Sequence, residues 1–449
     1  MLTRLSLSVT LLIAMPVWPQ AEPSATVSSD TDLRMRTPAT VSAETYPTMG
    51  RSEQRSDYFA TGLILSTAYD NNVVGGANAK PASEVSYIIW PTVTLDRVTT
   101  RQHTTFTYSP GFTFYQPTSA LDEVDQDASV EFQYQPSAYA EFIVRDSLQK
   151  SSNVFNQPDP LSGVSLSGST QSPPEQVIAP FAERISNTTD MALSYQFNRN
   201  QMIGAGGIAS ELNYPNSAEA SNFYNSDSRG GSAFYSNRRS STQYIGVTYQ
   251  YLWTQANPVV AQTNPANLGI NTKTQSYYPF YTNYLNRALS VSMAAGPQYF
   301  DVASSLSQPV RSWTPAAIAS IGWQGSRTAC SANYIRTVTG GIGVSGAFES
   351  NNANTLARWQ VTRTWIVGTA VSYAVNKNVS PLLPTSIPGG HTIAGSVTLQ
   401  HLIGKHYRAE LGYAHLHQSY SGIAIIAADP DSDRVYFSLS YQLTRPLGR

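Results

Sequence analysis

Along most of this chain apolar and small polar side chains alternate one by one, in segments of about ten residues separated by stretches rich in turn residues. The run Arg434 to Leu443 shows it plainly. Val435, Phe437, Leu439, Tyr441 and Leu443 fall on one side of the alternation, and Tyr436, Ser438, Ser440 and Gln442 on the other. A strand of this kind presents grease to one surface and hydrogen-bonding groups to the opposite one. Repeated over nearly 400 residues, the pattern predicts an all-β fold: a transmembrane antiparallel up-and-down β-barrel, lipid on the apolar face and a wet lumen on the polar face.

Composition narrows the alternatives. Only 13% of the 449 residues are charged, and 27 are tyrosines. A soluble sandwich or propeller would place Lys and Glu on its wet face, and a helical membrane protein would be far more apolar. No propeller-like repeat is visible. The net charge of −1 gives no electrostatic footprint for nucleic acid.

Arg4 precedes an apolar run from Leu5 to Met15, and small residues follow at Ala21, Ser24 and Ala25. A positive start followed by an apolar stretch too short to span a bilayer predicts a secretory signal peptide over residues 1–21. Residues 22–56 are rich in Ser, Thr and Pro without a sustained period and are expected to form a flexible periplasmic leader. The barrel is expected over residues 57–449. The single cysteine, Cys330, excludes an internal disulfide.

About eighteen strands can be counted from Tyr58 to Leu443, with 16–18 as the plausible range. Their connections alternate in length. Short, often basic ones include Asn198 to Gln201, Asn286 to Arg287 and Thr362 to Thr364; long polar ones include Lys150 to Thr189, Asp301 to Ser312 and Asn376 to Gly390. Short turns on one rim and long loops on the other are expected of an outer-membrane barrel, the short turns being periplasmic. Tyr69, Trp90, Tyr134, Tyr214, Trp253, Tyr299, Trp313 and Tyr373 lie near strand ends, where interfacial aromatic girdles form.

No catalytic, cofactor or metal site is expected. Ser147-Leu-Gln-Lys150 matches a Ser-x-x-Lys pattern but lacks its companion motifs. Gly204-Ala-Gly206-Gly207 lies within an alternating strand, where glycine serves close approach. His415 and His417, two apart, share a face without a visible third metal ligand. Charges read onto the lumen side are Glu141, Arg145, Glu211, Arg336, Arg358, Arg408 and Glu410. Their mixed signs predict no strong selectivity for one ion sign.

Alternation, loop asymmetry and an aromatic terminal strand together resemble the porin-type outer-membrane β-barrel family of Gram-negative envelopes over Tyr58 to Leu443. Tyr69-Asp70-Asn71-Asn72 is similar to the first hairpin of barrels associated with exopolysaccharide export. The resemblance implies a non-enzymatic outer-membrane channel for passive or weakly selective passage of small polar solutes. The alternative is a polysaccharide-export or structural surface barrel without an open pore. Implied partners are outer-membrane lipid and lipopolysaccharide, the barrel-assembly machinery, and small solutes or polysaccharide. By the same resemblance the long Lys150 to Thr189 loop folds inward as a constriction carrying Asp159, Glu175, Glu183 and Arg184. Members of the family usually end on a terminal aromatic, whereas this chain continues as Thr444-Arg-Pro-Leu-Gly-Arg449.

Overall fold

The computed structural model describes residue 35 and residues 57–73, 83–153, 181–217, 220, 223–260, 269–304, 307–340, 346–379, 389–421 and 431–446. Eighteen antiparallel strands follow one another in sequence, from β1 (Tyr58–Asp70) to β18 (Ser432–Pro446). Each pairs with the strand before it, and β18 pairs with β1 in register from Tyr58↔Pro446 to Asp70↔Arg434, so the sheet closes on itself. Closure leaves no free sheet edge at the ends of the chain. Among the described residues, no helix is long and apolar enough to cross a membrane.

The registers fix which way each side chain points. Leu63, Leu65 and Tyr69 of β1, Val435, Phe437 and Leu439 of β18, and Tyr87 and Ile89 of β2 (Glu84–Val98) share the outer side. These large apolar side chains are exposed, as no soluble surface would leave them. The inner side of the same strands carries Ser66, Asp70, Ser86, Thr92, Ser438 and Ser440.

Strands run 13 to 18 residues, longer than the ten-residue template. The expected loop Asp301 to Ser312 is mostly strand: β11 (Leu289–Ser304) and β12 (Ser307–Gln324) meet across two residues, with Arg311 Nε 3.1 Å from Asp301 Oδ2 on the outer side. The expected loop Lys150 to Thr189 likewise begins and ends as strand, in β5 (Ala140–Asn153) and β6 (Phe181–Asn198). In both places polar residues occupy outward positions, which erases the alternation that would have marked a strand. Similarly, β18 continues through Thr444 and Arg445 to Pro446, beyond the expected end at Leu443.

Two expected girdle aromatics face inward instead. The Trp90 indole lies flat over Gly111 of β3 (Gln102–Gln116), where a Cβ would come within 2.6 Å of the ring. Tyr214 is buried against Phe223 in the lumen, ring centroids 5.1 Å apart.

β13 (Thr328–Gly340) pairs with β12 only up to Arg336↔Ala317, yet stays paired with β14 (Ala347–Gln360) to its tip. The upper part of this hairpin therefore leaves the wall and leans into the lumen. Val338 and Ala347 pack against the inward-facing Ile270, Phe300 and Val302 of β10 (Ile270–Tyr284) and β11. The Gln298 side chain fastens it, accepting from the Val338 N–H at 2.7 Å and donating to Thr337 Oγ1 at 3.1 Å. Pro309 and Pro315 on the released stretch of β12 lack N–H donors, so fewer groups there lose a partner.

Candidate functional site: a lumen divided by charge

The candidate site is the inner wall, and its ionisable groups are sorted by sector. Within β1 to β6 the inward carboxylates are Asp70, Glu84, Asp96, Glu123, Asp125, Asp127, Glu131, Glu141 and Asp190. The inward arginines there are Arg145 and Arg184. From β7 to β13 the one inward charge within the described strands is Arg238, at the short-turn rim. From β14 to β18 they are Arg358, Arg408, Arg434 and Glu410.

One row of register partners shows the division along a single line of the wall, which climbs from the short-turn rim at Asp96 toward the outer rim at Phe300. Asp96, Thr105, Glu131, Arg145 and Asp190 stand side by side across β2 to β6. The row continues as Ile208, Gly230, Leu252, Thr274 and Phe300 across β7 to β11. Arg145 Nε lies 3.4 Å from Glu131 Oε2, and Asp96 Oδ1 lies 3.3 Å from His103 Nε2. On the far wall, Glu410 accepts from Gln400 Nε2 at 3.0 Å and from the Tyr436 hydroxyl at 2.8 Å. That hydroxyl arrives because the Tyr436 ring lies over Gly412, where a Cβ would sit 2.2 Å from it.

Of the residues expected in the lumen from sequence, Arg145, Arg184, Arg358, Arg408, Glu410 and Glu141 point inward. Glu183 lies on the outer side and pairs with Lys150 at 2.6 Å. Arg336 shares the outer side with Tyr334 and pairs with Glu349, and Glu211 also points outward, beside Asp227. Asp159 and Glu175 lie outside the described residues.

The outer mouth is crossed by apolar side chains. Phe348 of β14 is fully buried against Tyr214, Ala220 and Phe223 of the β7–β8 connection and Ala182 of β6, with Tyr420 of β17 packed alongside. These elements come from nearly opposite sides of the wall. A bridge across the opening was invisible in the sequence, because a luminal aromatic and a lipid-facing one obey the same alternation.

His415 and His417 point outward on β17 (Tyr407–Ser421), joined by His391 of β16 (Gly389–Ile403), whose ring stands 5.4 Å from that of His417. Each of the first two is held by a carboxylate: His415 Nδ1 at 2.8 Å from Asp433, His417 Nδ1 on Asp431. Among the described residues no His, Cys, Asp and Glu cluster is arranged to hold a metal ion. The Ser147–Lys150 pattern lies on β5, and Gly204 lies under the Phe234 ring, where a Cβ would come within 2.3 Å.

No protein-family model matches the chain, and no curated protein sequence matches it. Solved structures similar to it are outer-membrane barrels. The outer membrane protein OpdK of Pseudomonas aeruginosa covers 86% of this chain and 99% of its own at 10% identity, TM-score 0.39. OccAB3 of Acinetobacter baumannii covers 86% and 99% at 8% identity, TM-score 0.40. The FrpB iron transporter of Neisseria meningitidis (F3-3 variant) covers 85% and 81% at 9% identity, TM-score 0.41. At these scores the likeness is one of general shape. The class is defined by the chain's own strands: a closed eighteen-stranded antiparallel β-barrel with an apolar outside and a polar inside.

Proposed function

We propose that this chain is a porin-like channel of the bacterial outer membrane that passes small polar solutes, without enzymatic activity, and favours cations weakly. The observation that carries this reading is the inner wall. Eighteen strands are enough to enclose an aqueous lumen, and ten inward carboxylates face six inward arginines within the described strands. A water-filled bore with that excess of carboxylates concentrates cations near its wall, while the arginine sector keeps it from being a ring of one sign. The outer face, rich in exposed Leu, Val, Phe and Tyr, suits lipid.

Purified protein in planar lipid bilayers should give discrete conductance steps with a reversal potential displaced toward the cation side in a salt gradient. A silent membrane would reject the channel. The bridge at the mouth favours a second reading, a surface or polysaccharide-export barrel whose bore is shut. Phe348→Ala combined with Phe223→Ala removes two of the aromatic rings of that bridge. Larger steps than wild type are expected; equal steps would show that the bridge does not limit flow.

A further inference from the structure

Of the stretch before β1, Met35 and Asp57 are described, and Met35 is buried inside the barrel, with 3% of its surface exposed. Its backbone N–H donates to Gln196 Oε1 at 2.8 Å, and Gln196 is itself buried. Its side chain packs with Met202, Phe234, Tyr244 and Tyr284. All four point inward, as the registers of β7 to β10 require, and Met202, Tyr244 and Tyr284 stand beside the short turns.

This grouping departs from the rest of the bore. Elsewhere at that rim apolar inward residues such as Ile143 and Ile366 stand singly among polar ones, and an apolar hollow lined by four such side chains would face water without an occupant. The wall is also shaped for it: Gly204 leaves room for the Phe234 ring to lie flat. Reach is ample, because the residues between Met35 and Tyr58 can extend about 3.3 Å each, and β1 begins at the same rim.

We propose that the segment before β1 docks inside the barrel through Met35, in a socket made by Gln196, Met202, Phe234, Tyr244 and Tyr284, and narrows the bore at its short-turn end. The docking stands on the contacts alone; the narrowing rests on the channel reading above.

Paired cysteines separate the two claims. In a Cys330→Ser background, Met35→Cys with Tyr244→Cys should form an intramolecular disulfide under mild oxidation, seen as a faster band of the denatured protein on a non-reducing gel. Met35→Cys with Thr398→Cys, on the opposite inner wall, should not. Equal yields for the two pairs, or no bridge in the first pair within protein that still folds, would overturn the docking. Deleting residues 22–56 should then raise single-channel conductance. An unchanged step would overturn the narrowing, whereas silence in both proteins would count against the channel and leave the disulfide result to decide the docking.

Discussion

Neutralising the carboxylate row at once, with Asp96→Asn, Glu131→Gln and Asp190→Asn, should abolish the cation preference and lower the cation-to-anion permeability ratio roughly fivefold to tenfold at low salt. The three groups follow one another up one side of the wall from the short-turn rim, with a single arginine among them. A solute moving along the bore passes these three fixed negative charges in turn. Each contributes on the order of 0.5–1 kcal/mol at several ångströms in water, and salt near 1 M screens most of it. The effect should therefore shrink as ionic strength rises. Glu211→Gln, on the outer side, is the matched control and should leave the reversal potential unmoved. A triple variant with wild-type selectivity would show that these carboxylates do not line the conducting path.

The seam between the first and last strands is fastened at its outer end by a buried ion pair whose loss should weaken the wall. Asp70 of β1 and Arg434 of β18 are register partners, 0% and 2% exposed, with Arg434 Nε 3.3 Å from Asp70 Oδ1. The guanidinium also donates to Ser86 Oγ of β2 at 3.2 Å, so three consecutive strands around the closure share one ion. Asp70→Asn leaves the guanidinium buried without its register partner, at a cost of about 3 kcal/mol. Urea titration of folding into lipid vesicles, followed by the heat-modifiable gel band, would register the loss. Adding Arg434→Gln should recover most of it, because a neutral pair needs far less solvation than a buried guanidinium that has lost its carboxylate. If the double variant unfolds with the single one, the guanidinium left behind is not what costs stability; if the single variant unfolds with wild type, the pair does not hold the seam.

The strand count, the antiparallel order and the pairing of the last strand with the first were legible in the sequence because side-chain period and loop length are independent signals of one architecture. The strand ends were not. Beyond the lipid band nothing forces an outward residue to be apolar, so Arg311, Lys150 and Glu183 read as loop although they continue strands. The lumen charges were visible one by one, as Arg145, Arg358 and Arg408, but their grouping into walls depends on cross-strand register. Glu211 shows the limit most clearly. Small residues occupy both sides of β7, including Gly204, Ala205, Gly206 and Gly207, so its alternation does not tell inside from outside. Met35 carried no signal, because a lone methionine in a Ser/Thr/Pro-rich stretch has no period to reveal its partner.

Apart from the seam, every strand pairs with its immediate neighbour in sequence. All but one of the wall's pairings can thus form as local hairpins, each closing on the order of thirty residues. The β1–β18 ladder instead joins groups such as Ser66 and Phe437, 371 positions apart. Chain entropy grows only logarithmically with that separation, so bringing the ends together costs about 2 kcal/mol more than folding one hairpin. Thermodynamically the closure is inexpensive, yet it is the one pairing of the wall that no local hairpin can make. Until it happens, two strand edges are open at once, and any catalyst of folding must shield both.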